Sequence, residues 1–309
     1  MPGTHPGGAV RTLIFCLSLA FATPTFASDF VSHVHFFPIA SKTDGLAGTR
    51  WTTSLQIVNP QAEDLTITAR LSTEGAFQTE TIEIPARATR SWSDAVGEIF
   101  GTDGNGALFL EASADGNANR PVECRAFAAS MRISTTADDG GSFGQAVPSV
   151  DPVSGFLGDW IALFPGVVLH GQPGFDGFRT NAGFWNIGSE GAQLRLRILD
   201  TSGQEVWQQH VIADPHVPFV ISLPRQLDLG TATLLVDSYG EWVDCAIYIS
   251  VVDNLTGDAV FMTAQLMDPE SAASCEPLGA GTHYRAVPAR RSTDDAIERL
   301  RSGFLGDQQ

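Results

Sequence analysis

The sequence predicts an all-β protein of two sandwich domains in tandem, carried behind an export signal. Three observations predict it. First, a stretch of alternating character occurs twice: residues 51–71 superpose on 178–198 at a constant offset of 127, with Trp51 on Phe178, Thr53 on Thr180, Ile57 on Phe184, Asn59 on Asn186 and Leu71 on Ile198. An offset of that size matches a domain rather than a solenoid repeat. Second, short runs with a period of two are separated by Gly, Pro, Asn and Asp, and helical periodicity is nearly absent, a pattern shared by sandwiches and barrels. Third, the chain opens with a lone Arg11, an apolar run over 13–22 and the small-x-small site Thr25-Phe-Ala27.

The N-terminal run is roughly half of the ~20 apolar residues a spanning helix needs, so cleavage after Ala27 is favoured over an uncleaved anchor. Cys16 is a poor lipoprotein site, because Phe15 stands where a small residue is wanted. Processing removes Arg11 and no acid, leaving 17 basic against 35 acidic side chains. A surface so acidic repels phosphate, which argues against nucleic acid and anionic membranes as partners.

In the first domain, 28–153, strands are expected at 30–39, 51–58, 65–71, 78–84, 87–92, 107–112 and 121–129, followed by a last strand after the polar loop 136–142. Pro60 and Pro85 end two of them, since proline cannot donate to a ladder. A short helix capped by Ser93 spans 93–100. The second domain, 154–268, repeats the order at 160–169, 178–185, 193–199, 206–212, 219–223, 231–236, 243–252 and 259–265. Residues 269–309 form a tail whose one helix, 292–302, carries Ala296, Ile297, Leu300 and Phe304 as a narrow stripe suited to docking on the second domain.

Three cysteines remain after processing. Cys124 and Cys245 fall 121 residues apart in similar runs, which reads as two small buried hydrophobes in matching places. Alternatively, Cys245 pairs with Cys275 across a loop of about thirty residues.

Candidate chemistry is sparse. His33 and His35 leave the same face of a strand at a spacing that can hold zinc, with His170, His210, His216 and His283 as the remaining donors. Asp103, Asn105 and Glu111 resemble part of a calcium loop, although Ala107 stands where a third oxygen is wanted; Asp115-Gly-Asn117 and Asp138-Asp-Gly-Gly141 are further acidic turns. Turn geometry alone explains the same residues. Trp92, Trp160, Trp185, Trp207 and Trp242 could stack on sugars or fill cores, and Trp185 points away from the face of Phe184. No nucleophile elbow, zinc-protease helix, phosphate loop or dinucleotide fingerprint occurs, so no catalytic residue is assigned. Asn254-Leu-Thr256 is a glycosylation sequon for a host that uses it.

The runs 48–60, 178–186 and 250–258 resemble a group of secreted bacterial proteins built from such domains in tandem. The resemblance covers residues 30–267 and implies export and an immunoglobulin-like sandwich; it implies no activity. The expectation is an exported, non-catalytic binding, adhesion or structural module that meets a protein or polysaccharide at the cell exterior. A carbohydrate-binding accessory module is second and a hydrolase third.

Overall fold

In the computed structural model the described residues are 31–44, 49–73, 76–113, 125–136, 142–150, 156–158, 161–170, 177–239, 243–267 and 293–305. The signal segment, Cys124, Cys275, His283, Trp160, Trp242 and the acidic turns at 115–117 and 138–141 lie outside them.

The first half runs β1 (Val34–Asp44), β2 (Arg50–Val58), β3 (Leu65–Thr73), β4 (Ala76–Ile84), β5 (Thr89–Trp92), α1 (Ala95–Phe100), β6 (Gly104–Ala112), β7 (Ala128–Thr136) and β8 (Ser142–Val147). The second runs β9 (Phe156–Gly158), β10 (Ile161–Leu169), β11 (Phe178–Asn186), β12 (Ala192–Leu199), β13 (Glu205–Ala213), β14 (Phe219–Ser222), β15 (Leu229–Ser238), β16 (Val243–Asp253), β17 (Ala259–Thr263) and β18 (Gln265–Met267), and α2 (Thr293–Leu305) follows.

Strand order repeats between the halves. One layer is β4-β3-β6-β1 in the first and β13-β12-β15-β10 in the second; the facing layer is β5-β2-β7-β8 and then β14-β11-β16-β17. β18 extends the second half beside β10, and β9 pairs with β16. Every pairing between these strands is antiparallel. In the first half the layers join through β1, whose early residues pair with β6 and whose Thr43 and Asp44 turn to Trp51 and Arg50 of β2.

The strand order departs from that of an immunoglobulin sandwich. β2 lies beside β5 and β3 beside β6, matching B–E and C–F, but the first strand pairs with the sixth and the seventh with the second. The immunoglobulin order instead sets the seventh beside the sixth and the first wholly beside the second, which β1 meets here only through Thr43 and Asp44.

The superposed residues share environments. Ile57 and Phe184 are 0% and 1% exposed, each inside its own half's apolar cluster. Thr53 and Thr180, both fully buried, donate to the carbonyls of Ser41 and Val168, again 127 apart. Asn59 Nδ2 reaches the carbonyls of Glu63, Ile84 and Pro85, while Asn186 Nδ2 reaches those of Glu190 and Ala213; their Oδ1 atoms accept from Gln61 and Gly188. A buried amide at this turn satisfies backbone carbonyls that the strand ends would leave bare.

Several boundaries differ from expectation. Residues 41–44, beyond the strand expected at 30–39, continue β1, and Gly104 to Gly106, ahead of the strand expected at 107–112, begin β6. The α1 cap is Asp94 rather than Ser93: Asp94 Oδ1 accepts from the Gly97 amide, and Ser93 bonds Glu98. The strand placed at 121–129 is β7, starting only at Ala128. That shift breaks the Cys124–Cys245 equivalence. Leu55 pairs with Met131 and Ala182 with Ile249, an offset of 118 that puts Phe127 in the place of Cys245.

Candidate functional site at the seam between the halves

Alternation along β1 and β6 sends Phe37, Leu108 and Leu110 into the first core, and it sends Val34, Phe36, Ala107 and Phe109 to the outer face. An outer face that is apolar has to be covered. The cover comes from two directions. From β11, the residue after it and β16 the second half brings Trp185, Ile187 and Ala246, and α2 lays Ile297, Leu300 and Phe304 across both. The Phe304 ring stacks on Phe109 at 5.4 Å and lies 4.7 Å from Trp185, which meets Phe36 at 5.0 Å. The helix stripe therefore docks on the first half as well as the second, because the larger apolar face is the one outside β1 and β6.

Charges fix the helix along its length. Glu111, 5% exposed, accepts from Arg70 at 3.1 Å and from Arg301 Nε at 2.7 Å. Glu111 in turn raises the pKa of the Arg301 guanidinium. Two residues back, Arg299 pairs with Asp244 of the second half. Farther along the seam, Tyr248 lies over Gly183, its direct partner in the ladder, and stacks on Phe261 at 4.9 Å. A Cβ at Gly183 would sit 1.9 Å from Tyr248 Cζ, so only glycine admits the ring. Ser250 donates to Gln145 at 2.8 Å across the halves.

Beside the helix opens a cleft of about 670 Å³, bounded by the 186–193 turn, Tyr239, Asp244 and, from α2, Arg299 and Ser302. Asn186 holds the turn rigid through the bonds described above. Tyr239 is 59% exposed, with the His210 ring edge-on at 5.1 Å. An exposed ring beside amide, carboxylate, guanidinium and hydroxyl groups can stack one face of a ligand and hydrogen-bond its rim. Tyr239 was not singled out in the sequence, though its turn context, Asp237-Ser-Tyr-Gly-Glu241, is where an aromatic stays outside. Arg299 could not be placed from sequence, since its role depends on where α2 docks.

The expected site residues fall elsewhere. Trp185 does point away from Phe184, but that side is the seam; the ring is 0% exposed and offers no platform. Trp92 is buried under Arg90, and Trp207 borders a shallower cleft of about 420 Å³ with Gln209 and Arg225. His35 is fully buried, bonds the Phe127 carbonyl at 2.9 Å, and is pushed down to about 4 by desolvation. His33 is half-buried, and His170 pairs with Asp228. Among the described residues no three His, Cys, Asp or Glu side chains gather to hold a metal. Asp103 is salt-bridged to Lys42 at 3.0 Å, Asn105 accepts from Ser41 at 2.6 Å, and Glu111 lies about 26 Å along β6 from Asp103. These three therefore form a strand with separate partners, not a loop around one ion. Cys245 is a free, buried thiol pushed up to about 12 by desolvation. Among the described residues no helix is long and apolar enough to cross a membrane.

No protein-family model matches the chain, and no curated protein matches its sequence. Among solved structures, a Pleurotus ostreatus lectin in complex with GalNAc aligns over 81% of this chain and 80% of its own at 10% identity and a TM-score of 0.20. A Parabacteroides distasonis protein named for its presumed secretion aligns over 79% and 89% at 8% identity and 0.19. Scores this low transfer neither fold nor ligand.

Proposed function

We propose that this protein is an exported, non-catalytic binding module of the cell exterior. In this reading residues 1–27 are removed, 28–153 and 154–268 are two sandwich domains, and 269–309 return a helix to their seam. The observation that carries it is the polar cleft beside α2, whose turn is held by a fully bonded Asn186 and whose rim presents Tyr239. Rigid elements with a few convergent polar groups suit binding. N-terminal sequencing of exported protein should begin at Ser28; a chain that keeps residues 1–27 would refute the export claim.

A saccharide is the ligand class that Tyr239 favours. Sugars offer an apolar face to a ring and hydroxyls that both donate and accept, which Glu190, Gln193, Asp244 and Ser302 can meet. A glycan array read with wild type and Tyr239→Ala tests it. Binding lost by tenfold or more in the variant supports the reading, and equal binding by both places the ligand elsewhere.

A further inference from the structure

We infer that α2 is a working wall of the binding cleft, so that ligand binding and docking of the C-terminal helix are thermodynamically linked. The inference rests on the cleft being the binding site. Its geometry is specific: Arg299 and Ser302 reach the cleft, while Ile297, Leu300, Arg301 and Phe304 of the same helix face the seam. The cleft therefore exists in full only when α2 is docked. Docking depends on residues that no ligand in the cleft would touch, namely Phe304 among Phe36, Phe77, Phe109 and Trp185, and Arg301 on Glu111.

A helix of thirteen residues is marginal by itself and owes its order to this packing. If only a fraction of molecules hold it docked, the observed dissociation constant rises by the inverse of that fraction. Linkage also runs in reverse: a ligand that binds only the docked form must shift the helix equilibrium toward docking, which lowers the undocked population. The second half alone would then present an incomplete site, and events at the C-terminus would tune affinity without altering Tyr239 or the 186–193 turn.

The experiment uses the full chain, with chitotetraose, cellotetraose, maltotetraose and galactose- and mannose-terminated oligosaccharides as probes. Affinity and hydrogen exchange of residues 297–305 are measured for wild type, Tyr239→Ala, Phe304→Ala and the milder Arg301→Gln, which keeps the apolar stripe should Phe304→Ala fail to fold. The inference expects Phe304→Ala or Arg301→Gln to release the helix amides and weaken a bound probe by tenfold or more. It also expects that probe to slow helix exchange in wild type. Should a variant release the helix yet bind within twofold of wild type, while Tyr239→Ala loses binding, the linkage is overturned and the cleft stands as the site. If wild type binds none of the probes, the saccharide reading fails and the linkage to it falls too.

Discussion

The outer face of β1 and β6 and the outer face of β10 and β15 occupy the same place in the two halves, yet α2 roofs the first, while among the described residues no helix covers the second. Register makes the comparison residue by residue: Val34 matches Ile161, Phe36 matches Leu163, Phe109 matches Leu235, Arg70 matches Arg197 and Glu111 matches Asp237. Each acid pairs with its own-sheet arginine, Glu111 with Arg70 and Asp237 with Arg197 at 2.6 Å. The second partner differs. Glu111 receives it from α2 through Arg301, whereas Asp237 receives it from Arg195, which stands where the first half has Thr68. The second face is complete within its own sheet, with Ile161, Leu163 and Leu235 only half-buried; the first needs the helix. Besides that arginine in place of a threonine, Leu163 and Leu235 stand where the roofed face has Phe36 and Phe109.

The facing layers show the same divergence with the roles exchanged. Outside β2 and β7 lie Thr52, Ser54, Gln56, Ser130 and Arg132, most of them open to water. Outside β11 and β16, Gly183 and Tyr248 stand in the places of Gln56 and Ser130, and Trp185 and Ala246 in those of Val58 and Ala128; this layer is buried against the first half. The inward positions thus agree between the halves, and the outward ones differ with what covers them.

Paired substitutions can break this comparison. Phe304→Ala removes the ring that four aromatics enclose and should cost about 3–5 kcal/mol, against less than about 1 kcal/mol for Leu163→Ala on the second face. Denaturant titration of both variants reads the gap, and equal losses would mean that the roof contributes nothing. Glu111→Gln leaves Arg70 and Arg301 facing a neutral group and should cost about 3 kcal/mol. Asp237→Asn, whose arginines can turn to solvent, should cost about 1 kcal/mol.

Acid sharpens the contrast from another side. His35 is neutral in the fold, with its pKa lowered to about 4, and its counterpart by the 127 offset is Ala162. Because the folded value lies below the unfolded 6.5, the unfolded chain takes the proton first. Stability is therefore fully present above pH 6.5 and falls, by up to about 3 kcal/mol, as the pH drops toward 4. Unfolding followed by fluorescence across that window should show the slope in wild type and a flatter one in His35→Phe. A smaller effect is expected of Gly183→Ala, about 1–3 kcal/mol from crowding Tyr248, while the matching Gln56→Ala should stay within about 0.5 kcal/mol by thermal melting.

What could be read in advance depended on period. A strand buried on one face alternates by two, so the hairpin that recurs and its inward residues follow from residues 51–71 and 178–198, whereas the buried role of Asn59 and Asn186 came only with the structure. Cys124 misled because a cysteine says nothing about register, and β7 begins seven residues beyond the place where its strand was expected. Trp185 shows the limit most directly. Alternation assigned its direction correctly, but whether that direction met water or Phe36 and Phe304 was beyond any local pattern.

By itself, the amino-acid sequence determined that the chain would double a set of β-strands, and which side chains would fill each core, because inward burial is a local, periodic constraint. Only the tertiary structure decided that the helix bridges the halves, that Glu111 needs Arg301, and that Tyr239 and Arg299 border one cleft. Those depend on contacts between residues up to 190 positions apart, set by the packing of whole layers rather than by any neighbourhood along the chain.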